Sequence, residues 1–159
     1  MSERGVRFIE LIDRGASGNW DAHGNMKSYN GLARDVDQPI AALIRDLKRR
    51  GLFEETLIVG CTEFGRTPTA KKDNQDGRDH YKDAFTCWLA GGGVKGGMAY
   101  GSTDEYGLTI AENPVHIHDF HATTLHLLGF DHTKLTHFYG GRDFRLTGLA
   151  GQVVHDIVA

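Results

Sequence analysis

The chain has 159 residues, 40% hydrophobic and 25% charged, a balance that fits one soluble domain with a core of its own. A formal net charge of −3 gives no electrostatic reason to expect a nucleic acid or an acidic membrane surface as partner. No apolar run approaches the roughly 20 residues that cross a bilayer, and the N-terminal MSERGVRFIE lacks the apolar stretch of a secretory signal.

In chain order, GVRFIELI (5–12) is β-branched and aromatic and predicts a strand. The Gly/Ser/Asn-rich stretch 15–30 predicts a loop. A helix follows, because Val36, Ile40, Leu43, Ile44 and Leu47 form one apolar stripe. Asp35 is its expected N-cap, Pro39 belongs in its first turn, and Gly51 supplies the left-handed stop. TLIVGCTE (56–63) reads as an internal parallel strand covered on both faces, and AFTCWLAG (84–91) as a second buried strand after a polar loop at 67–82.

Strand, helix, strand with a short helix-to-strand turn is a βαβ unit. The expected class is therefore α/β, a mostly parallel sheet flanked by helices. GGGVKGGMAYG reads as a tight turn and a short strand or edge, since it lacks the GxxxxGK[ST] of a phosphate loop. HDFHATTLHLLG predicts a second helix, capped by Asp119 and ended by Gly129, with Ala122, Leu125 and Leu128 as its core face. The tail at 153–158 is apolar and fits strand or helix. Cys61 and Cys87 each sit in an apolar run and read as small core side chains. Six of the nine histidines fall between His116 and His137. His118, His121 and His126 lack the i, i+4 spacing of a helical zinc site, so this segment reads as structural.

Open α/β sheets bind ligands at the carboxyl ends of their strands. Asp21 and His23, in GNWDAHGN, follow the first expected strand. Glu63 ends the second, and His80 leads into the third. Two carboxylates and two imidazoles suit zinc, manganese or iron. Each also has a plain reading: a polar turn, a cap or an Arg66 partner for Glu63, an exposed loop histidine. Arg66 and Arg78 adjoin these segments, and a guanidinium fork fits phosphate or sulfate oxygens. Ion pairs with Asp73, Asp76 or Asp79 are the other reading.

RGLFEETLIVGCTEFGRTP, GRDHY, LAGGGVKGG and HDFHATTLHLLGFDHTKLTHFYGGRDFRLT occur in that order, together with WDAHGN. Over nearly the whole chain this pattern resembles the C-terminal part of the sulfatase-like family known as domain of unknown function 1501. That family is similar to the alkaline phosphatase superfamily, whose members act on phosphate and sulfate esters with two divalent metals and a Ser, Thr or formylglycine nucleophile. The resemblance implies an alkaline-phosphatase-like fold and a divalent metal (Zn, Mn, Fe or Ca) at Asp21, His23 and His80. Glu63 matches the aspartate of the superfamily's T-(S/A)-D-H-G motif, a ligand of the other metal, and Phe64 stands where that motif has its histidine ligand. It also implies a phosphate or sulfate ester as substrate.

The superfamily's nucleophile and first metal-binding aspartate belong to an earlier segment. The chain is thus expected to be the C-terminal portion of a larger domain, inactive alone. It would meet its missing segment or a second copy along an exposed sheet edge. The alternative is a non-catalytic α/β interaction module or degenerate remnant.

Overall fold

The computed structural model describes residues 1–13 and 20–159. Gly18 and Asn19, which begin GNWDAHGN, lie outside the described residues, as does part of the loop expected at 15–30. Among the described residues the order is α1 (Tyr29–Arg49), β1 (Ile58–Gly60), β2 (Gly65–Arg66), β3 (His80–Tyr81), β4 (Trp88–Ala90), β5 (Ser102–Thr103), β6 (Ile110–Glu112), α2 (Ile117–Leu127), β7 (Thr136–Tyr139) and β8 (Arg142–Arg145). Short 3-10 turns at Ser2–Arg4, Met26–Ser28 and His155–Ile157 complete it.

The strands form four two-stranded antiparallel ladders: β1 with β4, β2 with β3, β5 with β6 and β7 with β8. This overturns the expected mostly parallel, alkaline-phosphatase-like sheet flanked by helices. Two facts explain the difference. Residues 5–12 form no strand, and Phe8 and Leu11 there are 82% and 78% exposed, so the βαβ unit lacks its first member. Between β1 and β4 the chain contains no helix, the element that usually carries a crossover to a parallel strand, and the two pair antiparallel.

The chain divides into two compact units, Met1–Leu43 with Thr69–Asp79, and Ile44–Pro68 with His80–Ala159. α1 begins in the first and ends in the second. It starts earlier than Asp35 because Asn25 opens the 3-10 turn that leads into it: Asn25 Oδ1 accepts the Lys27 N–H at 2.9 Å. Pro39 consequently sits inside the helix, beyond its first turn. In the first unit Leu32 is buried, the Trp20 indole lies 5.5 Å from the Tyr29 ring, and the Tyr29 hydroxyl donates to the Trp20 carbonyl.

In the second unit α1 stops as its sequence predicts. The Leu52 N–H donates to Leu47 O and the Gly51 N–H to Lys48 O, with Gly51 at φ +70°, which is a Schellman cap. Leu47 is buried just before it. α2 ends the same way: the Phe130 N–H donates to Leu125 O, the Gly129 N–H to His126 O, and Gly129 has φ +84°. Its start differs from expectation. His116 is the N-cap, and Asp119 is the reciprocal partner, accepting the His116 N–H at 3.1 Å. The other Asp119 oxygen accepts the Gln152 N–H at 2.8 Å and so ties the tail to the helix start.

Ala122 is buried as expected, but Leu128 is 52% exposed, and Thr123 takes the second buried place on α2. The Thr123 hydroxyl donates to Asp119 O at 2.7 Å and accepts the Val154 N–H at 2.9 Å. Thr123→Val keeps the shape and removes that acceptor. Urea unfolding should show a loss of about 1 kcal/mol, the low end of the cost of stranding a donor, since Val154 is only part-buried.

Candidate metal centre

The first unit is organised by two polar segments, around residues 20–28 and 69–79. The Met26 N–H donates to Asp76 O at 2.9 Å, and Asn74 Nδ2 donates to Gly24 O at 2.7 Å. The second segment folds on itself: the Lys71 N–H donates to Gly77 O at 3.2 Å, and the Gly77 N–H to Asn74 O at 3.1 Å. Asn74 Oδ1 also accepts the Asp76 N–H at 3.1 Å, an Asx turn that fixes its side chain toward Gly24. Gly77 is buried against the other segment, and a Cβ there would lie 2.4 Å from the His23 carbonyl oxygen.

These contacts leave a cleft of about 500 Å³ lined by His23, Lys71, Lys72, Asp73, Asn74 and Asp79, among others. His23 Nδ1 lies 3.6 Å from Asp21 Oδ1. That is long for a hydrogen bond, but it is a spacing that two donors facing one ion adopt. Asp21 and His23 belong to the one grouping of His, Cys, Asp or Glu among the described residues whose donor atoms converge closely enough for a metal ion. Asp21 is exposed and His23 half-buried, so an ion has an entry path. Carboxylate and imidazole are donor types that zinc, manganese and iron accept, and the pair fits such an ion.

Arg78 also belongs to this unit. Its Nη1 donates to Gln75 O at 3.0 Å and Gly77 O at 2.8 Å, bracing the loop it leaves. The cations that line the cleft are Lys71 and Lys72, with Lys71 Nζ 2.8 Å from Asp79. The sequence reading missed both lysines and Gly77. Their only signal was a polar turn, KKDNQDG, in which nothing marks which residues face a ligand.

In the second unit His80 opens β3, directly after Asp79, and pairs in register with Arg66 of β2. Its ring lies 4.1 Å from that of Phe64, centroid to centroid, at 37°. Phe64, which cannot coordinate a metal, thus packs its ring against the imidazole. Glu63 is exposed in the link between β1 and β2, where the Thr62 hydroxyl donates to Phe64 O at 2.7 Å. The histidine-rich segment divides into small contacts. His116 and His118 stack at 5.0 Å, His126 meets His155 edge-on at 5.5 Å, and buried His132 bonds Thr147 Oγ1 at 2.9 Å.

The family described as "Protein of unknown function (DUF1501)" matches residues 1–158. No curated protein and no solved structure matches the chain. No helix among the described residues is long and apolar enough to cross a membrane.

Proposed function

The chain belongs to the DUF1501 family, and from that premise we propose that it is the metal-binding portion of a sulfatase- or phosphatase-like hydrolase, taking one divalent ion and a phosphate or sulfate ester beside it. The observation that carries this reading is the Asp21–His23 pair at 3.6 Å, with His23 on the wall of the lysine-lined cleft. Asp21 and His23 are two donors. His80 is the third donor on the strength of the family resemblance, and within its own unit its ring packs on that of Phe64. Glu63 is a further carboxylate donor on the strength of the family resemblance alone.

Zinc, manganese and iron suit a set with two imidazoles better than calcium, which favours oxygen ligands throughout. When bound, such an ion polarises an ester oxygen. The chain's own side chains supply the rest. The ammonium groups of Lys71 and Lys72 attract the oxyanion, more strongly from Lys72, because Asp79 offsets the charge of Lys71. Arg66 and Arg78 stand as further anion contacts.

The test is metal content after purification without chelators, followed by calorimetric titration of the stripped chain with zinc and manganese. About one ion per chain is expected. A chain that takes up no zinc, manganese, iron or calcium at that level defeats the reading and leaves the non-catalytic module in its place.

A further inference from the structure

Cys61 is exposed and Cys87 half-buried, so neither is the core side chain that its apolar run predicts, and both are free thiols. Their placement follows from the β1–β4 register. Ile58 faces Ala90, Val59 faces Leu89 and Gly60 faces Trp88. The ladder ends at that last pair, and the same register carried one step beyond it sets Cys61 opposite Cys87. Residues directly opposite in an antiparallel pair have Cα atoms about 4.5–5.5 Å apart, inside the roughly 4.4–6.8 Å that a disulfide spans.

Two further facts agree with this juxtaposition. The Thr62 backbone draws the Cys87 thiol down, the opposite sense to burial, which puts Cys87 near the residue that follows Cys61. Burial pushes the Cys87 thiol up from its ordinary range, and the charge of Cys61 adds to the shift, so the two sulfurs sense one another. Both residues belong to the second unit, so the geometry is internal to it.

We propose that Cys61 and Cys87 form a cross-strand disulfide, making this pair a redox-modifiable clamp on the segment that carries Phe64, Arg66 and His80. The oxidant is a small-molecule disulfide of the glutathione type. The exposed Cys61 thiolate attacks one sulfur of the oxidant, forming a mixed disulfide and releasing the first small thiol. Cys87, as its thiolate, then attacks the Cys61 sulfur and releases the second. Two protein thiols lose two electrons and two protons, and one small disulfide becomes two small thiols.

The closed bond ties the strand ends that flank β2 and β3. It constrains the unfolded chain, so the oxidised protein should also be the more stable form. The inference rests on strand register and is independent of whether a metal binds.

The experiment equilibrates the native chain in buffers of graded oxidised-to-reduced glutathione ratio, quenches with acid, and reads intact mass, free-thiol count and a peptide map. The expected result is a monomer that has lost two hydrogens, has no free thiols and yields a peptide linking Cys61 to Cys87. Its urea midpoint should be higher than that of the reduced chain. Cys61→Ser should leave Cys87 as a thiol or a glutathione adduct, with no internal link. A wild-type chain that accumulates glutathione on Cys61 while Cys87 stays free, or that links only between chains, overturns the proposal.

Discussion

Gly91→Ala is expected to destabilise the second unit by about 3 kcal/mol, through backbone strain and overpacking together. Gly91 follows β4 at φ +67°, a conformation that side chains disfavour, and it is buried. A Cβ there would sit 2.4 Å from both the Phe53 and Thr56 carbonyl oxygens. Neither oxygen can swing aside like a side-chain end. Phe53 O accepts the N–H groups of Thr56 and Gly92, each at 3.3 Å, so moving it disturbs the turn that feeds β1.

Trp88, three residues earlier, reports on this region, and urea unfolding followed by its fluorescence in a Trp20→Phe background gives the measurement. Gly96→Ala is the control, because nothing lies within 4 Å of its added Cβ. It should stay within about 0.5 kcal/mol of the parent. Equal midpoints for Gly91→Ala and its parent would show that the turn is not packed in this way.

The contrast between those two glycines shows what the sequence could convey. GGGVKGG marks a turn by composition, but only the fold tells which glycine has carbonyls against it. Helix ends were legible because their chemistry is local. Gly51 and Gly129 each close a cap whose partners lie within the preceding turns. The start of α1 was misplaced by the same logic: Asp35 is a good cap residue, and Asn25 is an equally good one placed earlier.

Strand direction was the larger failure. Apolar runs such as TLIVGCTE and AFTCWLAG report burial and carry no sign of parallel or antiparallel pairing. The connection does carry it. A polar segment without helical periodicity lacks the helix that usually makes a crossover, so the stretch between those runs favours the antiparallel pairing that β1 and β4 adopt. The apolar stripe of α1 also promised more core than forms, since Ile40 and Leu43 remain 37% and 38% exposed. At the candidate site, Asp21 and His23 were legible because they are near neighbours in sequence. The cleft beside them was not, since it depends on Asn74 reaching Gly24 across a long separation.

That dependence gives the second large effect. His23→Ala should weaken zinc or manganese binding by about a hundredfold or more, since changes merely behind a ligand already cost up to that much. Gly77→Ala should weaken it by about tenfold, although Gly77 offers no donor atom. Its new methyl group would meet the His23 carbonyl at 2.4 Å and push the 20–28 segment off the loop that positions it. Gly24→Ala is the matched comparison, because its nearest atom, Asn74 Nδ2, lies 3.9 Å from the added Cβ.

Calorimetric titration of each stripped variant reads the effect directly, and circular dichroism confirms that each is folded. Gly77→Ala binding as tightly as Gly24→Ala would mean that the loop contact does not set the ligand position. His23→Ala binding as tightly as wild type would remove His23 from the donor set, whatever Gly77→Ala does. The two outcomes are separable, because one tests the ligand and the other tests the backbone that holds it.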